Sequence, residues 1–166
     1  MEDQLYQEII LEHYKRPHGR GLRSPFAGEA HHVNPTCGDE VTVRVLMSDD
    51  GSTVRDVSYD SLGCSISQAS VSVMTDLVVG KDLDAATAAY DAFLGLMRTK
   101  GDTEAVIEAD EEVLEDAVAF EGVSKYPARI KCALLGWMAW KDATAQAVAA
   151  HDSYYTNDRR LTEESA

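Results

Sequence analysis

Residues 52–80 read STVRDVSYDSLGCSISQASVSVMTDLVVG, and their periodicity changes partway along. Up to Leu62 the stretch is rich in β-branched residues and carries Tyr59, the composition of a strand. Beyond Cys64 the apolar positions are Ile66, Ala69/Ser70, Val73, Met74 and Leu77, a helical spacing that Gly80 closes. Gly63-Cys64 therefore marks a strand-to-helix junction. A thiol placed there feels the positive end of the helix dipole, which favours the thiolate.

Upstream, EVTVRVLM (40–47) alternates, with Val41, Val43 and Val45 on one face, and SDDG (48–51) reads as the hairpin turn that follows it. EAHHV (29–33) is a weaker third strand. Before it, residues 2–16 repeat Leu5, Ile9 and His13 every four residues, with Tyr6, Ile10 and Tyr14 beside them, so a helix is expected there. RPHGRGLRSPFAGEA (16–30) holds too many Gly and Pro for anything but a connecting loop. Downstream, residues 83–98, 110–120 and a long segment beginning at Pro127 read as further helices.

Strands followed by helices make an α+β fold: a small three-stranded antiparallel sheet, an N-terminal helix and a C-terminal group of about four helices. Residues 1–150 are expected to form a single domain with an acidic helical insertion at about 100–121, and residues 151–166 a flexible C-terminal tail.

The net charge of −14, from 29 acidic against 15 basic residues, argues against nucleic acid and against an anionic membrane surface. Charge is uneven: Lys15 to Arg23 carries four Lys/Arg and no acid, whereas residues 102–121 carry nine Asp/Glu and no Lys/Arg. The acidic run reads as solvated helix faces. No window approaches a membrane span, and MEDQLYQEII lacks the basic start and apolar run of a signal peptide, so the expected address is cytoplasmic.

Three cysteines, Cys37, Cys64 and Cys132, are too few and odd in number for a disulfide framework. Free cysteines are often simply buried, which is one reading of all three. Their placement favours a site. Cys37 lies in NPTCGDE (34–40), where Pro35 and Gly38 imply a bend and Asp39 stands two residues on. Cys64 lies at the junction described above. Cys132, inside the last helix, shares a face with Arg129 and Gly136.

Cys37, Asp39, Cys64 and Cys132 together offer three thiolates and a carboxylate, a set suited to tetrahedral Zn²⁺ or to iron in a sulfide cluster. Separations of 27 (64 − 37) and 68 (132 − 64) residues exclude a local zinc knuckle. Arg129 is a candidate cation to offset the excess negative charge, unless it is an ordinary exposed helix arginine. His31 and His32 could approach the site, though each reads more simply as a hydrogen-bonded strand residue. His13 reads as a satisfied, half-buried residue. No phosphate loop and no nucleophile elbow is present.

At these residues the chain resembles a known family. NPTCGDEV, GCSISQAS and ARIKCALLGW, with LYQEIILEHYKRPHGRG at the start, resemble the SufU branch of the IscU/NifU-N-terminal superfamily of iron–sulfur cluster assembly proteins, over roughly residues 3–150. The resemblance implies Cys37, Asp39, Cys64 and Cys132 as metal ligands, a zinc cofactor, a SufS-type cysteine desulfurase as partner, and downstream cluster-assembly proteins. It further implies a zinc-dependent sulfurtransferase in which a desulfurase histidine takes a metal position and frees Cys37 to accept persulfide sulfur. Two departures separate the chain from the scaffolds resembling IscU. Lys131 stands where they carry histidine, and SKYPARIKC replaces their Leu-Pro-Pro-Val stretch. The alternative the resemblance leaves open is a scaffold on which a [2Fe–2S] cluster is assembled.

Overall fold

The computed structural model describes residues 2–99 and 108–164. Three strands, β1 (Gly28–Asn34), β2 (Asp39–Met47) and β3 (Val54–Leu62), form an antiparallel sheet in the order β1-β2-β3. The period of two that buries Val41, Val43 and Val45 also turns Asp39 to the covered face, where it is 1% exposed. Pairing of Asn34 with Asp39, and of Glu40 with Leu62, brings the β1–β2 turn and the end of β3 to the same end of the sheet.

The helices are α1 (Glu2–Lys15), α2 (Ser65–Val78), α3 (Leu83–Arg98), α4 (Glu108–Leu114) and α5 (Pro127–Glu164). Helix α5 packs on β1 and β2, and α2 packs between α5 and α1. Two glycines set these distances: a Cβ on Gly28 would strike the carbonyl of Ala143, and one on Gly136 would come within 2.8 Å of Val71. The core centres on Trp137, stacked on Phe93 at 4.7 Å, with Phe120 edge-on to Phe93 at 5.9 Å. Truncating Trp137 to alanine would cost about 3–5 kcal/mol.

The sheet, the N-terminal helix and the C-terminal helix group match the expectation from sequence, and three details differ. Leu5 is 54% exposed, so the buried stripe of α1 runs through Ile10 and His13 instead. The helix expected at 110–120 is broken. Glu115 adopts φ +47°, which no right-handed helix accommodates, and the chain continues as 3₁₀ turns over Glu115–Lys125. Residue 150 is not a helix end either: α5 continues to Glu164, with no Gly or Pro after Gly136 to stop it. Residues 100–107 of the expected insertion lie outside the described residues.

Candidate metal centre

Three segments meet at one end of the sheet: the β1–β2 turn, the β3–α2 junction and the first turns of α5. In the turn, the backbone N–H groups of Cys37 and Gly38 both donate to the carbonyl of Asn34, at 3.3 and 2.9 Å. Gly38 takes φ +72°, the left-handed conformation that glycine adopts without strain. This leaves Cys37 exposed at the tip.

Asp39 starts β2 and faces inward. Its Oδ1 accepts the backbone N–H of Cys64 at 2.9 Å, and its Oδ2 lies 3.6 Å from Cys64 Sγ. That approach requires Gly63, because a Cβ there would strike the Asp39 carboxylate and come within 2.8 Å of Ser67 Oγ. Cys64 is the N-cap of α2 and uses no side-chain cap, so its sulfur is left for other chemistry.

Cys132 is 2% exposed. Its Sγ lies 3.4 Å from Cys37 Sγ and accepts from Asn34 Nδ2 at 3.8 Å. The donor atoms of Cys37, Asp39 and Cys132 all lie within 4.8 Å of one another, and Cys64 adjoins the group through Asp39. Burial pushes the Cys132 thiol well up, and hydrogen bonds with Asp39 and Cys37 and the charge of Cys64 push it further. Without a counter-charge that thiol keeps its proton. A bound cation would release it, so ion uptake and proton release are coupled.

The other candidates from sequence lie apart. Arg129 is exposed and lines a groove of about 430 Å³ with Tyr6, Ile66 and Tyr126; no ion pair joins it to Asp39 among the described residues. His31 bonds Thr42 Oγ1 at 2.8 Å and His32 bonds Asp142 at 2.6 Å. His13 has both ring nitrogens engaged, as expected from sequence, but is fully buried where half-burial was expected. One contributor had gone unnoticed. Asn34 anchors the turn through its carbonyl and Cys132 through its amide, and only its place at the head of NPTCGD hinted at this.

An α+β domain that turns three thiols and a carboxylate toward one end of its sheet is a metal-binding class of protein. The chain belongs to the family of the NifU-like N-terminal domain, whose model matches residues 5–133. It is 40% identical over 146 residues to the zinc-dependent sulfurtransferase SufU of Bacillus subtilis, covering 87% of this chain and 92% of that protein. It is 37% identical over 147 residues to the iron–sulfur cluster assembly scaffold protein IscU of Streptococcus pyogenes serotype M1, covering 88% and 86%. Among solved structures, the N-terminal part of a nitrogen-fixing NifU-like protein from Brucella abortus superposes with a TM-score of 0.72 at 31% identity, covering 87% of this chain and 95% of that one.

Proposed function

We propose that this protein is a zinc-dependent sulfur acceptor that takes persulfide sulfur from a SufS-type cysteine desulfurase and passes it into iron–sulfur cluster assembly in the cytoplasm. The observation that carries this reading is the unequal burial of the two touching sulfurs, Cys37 exposed at a turn and Cys132 enclosed in a helix. The donor set fits zinc, with Cys37, Asp39, Cys64 and Cys132 as its ligands. The ion, when bound, makes thiolates available at neutral pH and masks them between turnovers. The identity to a SufU protein and the presence of Lys131 next to Cys132 support the same reading.

In the transfer step the Cys37 thiolate attacks the outer sulfur of the desulfurase persulfide. The partner's S–S bond breaks, the partner cysteine leaves as a thiolate, and Cys37 becomes the persulfide. No net oxidation occurs. Asp39, Cys64 and Cys132 stay in place, because each is held by a strand, a helix N-cap or a helix interior. Arg129, three residues before Cys132 and on the wall of its own groove, would meet the approaching partner. Its assigned role is to offset negative charge near a released thiolate.

Purified protein should contain about one zinc per chain and no acid-labile sulfide, and should accelerate desulfurase turnover. Cys37→Ala should abolish transfer of labelled sulfur onto the chain; retained labelling would remove Cys37 from the acceptor role. Iron and sulfide with a visible chromophore would move the assignment to a [2Fe–2S] scaffold, the second reading, which the similarity to an IscU scaffold supports.

A further inference from the structure

A second group of ligand-type side chains lies at the other end of α2. His13 comes from α1, His18 from the loop after it, and Ser72 and Asp76 from one face of α2. His13 is 4% exposed, and its Nε2 lies 3.1 Å from Asp116 Oδ2 in the 3₁₀ segment. That carboxylate holds the ring proton on Nε2, so the inward Nδ1 lone pair accepts the Ser72 hydroxyl at 2.8 Å, a bond that a cation at Nδ1 would replace. Ser72 Oγ also accepts the backbone N–H of His18 at 2.9 Å, and His18 Nδ1 lies 2.6 Å from Asp76 Oδ2. The two imidazole rings are 4.9 Å apart between centroids. Ligand atoms of His13, His18 and Asp76 fall within 4.8 Å of one another.

We propose that His13, His18 and Asp76 form a second site for a first-row divalent cation, with Asp116 orienting His13 from behind. Two imidazoles and a carboxylate are ligands that suit Zn²⁺ or Fe²⁺ and leave coordination positions open. A carboxylate on the far nitrogen of a ligating histidine is the usual outer support of such a site; it fixes the tautomer and raises ligand basicity. The side chains of His18 and Asp76 are 51% and 43% exposed, so an ion has a route in from solvent. Net charge of −14 favours cation uptake generally. As a hydrogen bond alone, the exposed His18–Asp76 pair contributes only about 0–1 kcal/mol.

The ion would clip the loop after α1 to α2. Twelve residues of α2 separate Asp76 from Cys64 (76 − 64), roughly 18 Å along the helix, so the two sites fill independently. The thiol-rich centre is the softer of the two and fills first with zinc or cobalt.

Titration of the full-length protein with Co²⁺, followed by absorption, separates the two. The first ion should give intense thiolate-to-metal charge transfer. The second should add only weak ligand-field bands, with saturation at two ions per chain. His18→Ala and Asp76→Asn, both at half-exposed positions, should each reduce saturation to one ion with the charge-transfer absorption unchanged. Asp116→Asn should weaken the second ion about 10–100-fold. Saturation of the unmodified chain at one thiolate-bound ion, or a second ion indifferent to both substitutions, would overturn the proposal. A nitrogen- and oxygen-bound ion without any charge-transfer absorption would uphold this site and count against the thiol centre instead.

Discussion

The two turns of the sheet do the same topological job and are held in opposite ways. The β2–β3 turn is clamped. Asp50 Oδ1 accepts from Ser48 Oγ, Ser52 N and Ser52 Oγ at 2.6, 3.0 and 2.7 Å, and the ring of His151 on α5 covers Gly51. The β1–β2 turn hangs on one residue: Thr36 N, Cys37 N and Gly38 N reach only Asn34, at 3.3, 3.3 and 2.9 Å. A Cβ on Gly38 would meet nothing within 4 Å. The sheet is thus clamped at the β2–β3 end and anchored by fewer hydrogen bonds where the exposed thiol sits.

That contrast can be broken at the base of the looser turn. Asp39→Ala removes a proposed metal donor and the acceptor of the Cys64 N–H together. Zinc affinity, measured by competition with a chelator, should fall at least roughly 100-fold, about 2.7 kcal/mol. Undiminished affinity would mean that the carboxylate is only structural.

Comparison of two glycines sharpens it. Gly38 and Gly51 have nearly the same φ, +72° and +75°, so alanine at either should cost about 1–2 kcal/mol of backbone strain. At Gly51 the added methyl also meets the His151 ring at 2.6 Å and disturbs its hydrogen bond to the Asp49 carbonyl. Gly51→Ala should therefore cost about 1 kcal/mol more in denaturant unfolding. In a His151→Ala background the two costs should converge; if they do not, the helix is not the clamp.

The smallest effect is electrostatic. Hydrogen bonds from Ser48 and then Ser52 hold the Asp50 carboxyl at about 2. Its unfolded value is about 3.9, so the folded state favours the charged form. The contribution is complete above about pH 4 and is lost as pH falls toward 2. Because Asp50 is fully exposed, the difference in Tm between the parent and Asp50→Asn should be slight at pH 7 and should shrink further at pH 2.

Much of this was legible in one dimension. The alternation of Val41, Val43 and Val45 fixed which face of β2 is covered, and Gly63-Cys64 announced the junction because both periodicities end there. What the sequence withheld depends on contacts between distant segments. Nothing local says that the Asp39 carboxylate will find the N–H of Cys64, since this rests on strand register and on the space left by Gly63. The amide of Asn34 reaches a sulfur 98 residues away. His13 read as a satisfied, half-buried histidine; it is satisfied, and buried more deeply than that. That its neighbours would include His18 and Asp76 depended on how a Gly- and Pro-rich loop folds back on α2. The helix break at Glu115 was invisible because DEEVLEDAVAF keeps an unbroken helical composition through it.

The 3.4 Å contact between the sulfurs of Cys37 and Cys132 carries a consequence for the protein's shelf life. Two thiols this near need only close to about 2.05 Å to become a disulfide, surrendering two electrons and two protons to dissolved oxygen or peroxide. Cys37, on its pliant turn, can make that movement. A metal-free preparation is therefore exposed to a self-inflicted crosslink that would use up the proposed acceptor thiol. An ion bound at the proposed site would act as a preservative, and a dithiol reductant should restore an aged sample where added zinc alone does not.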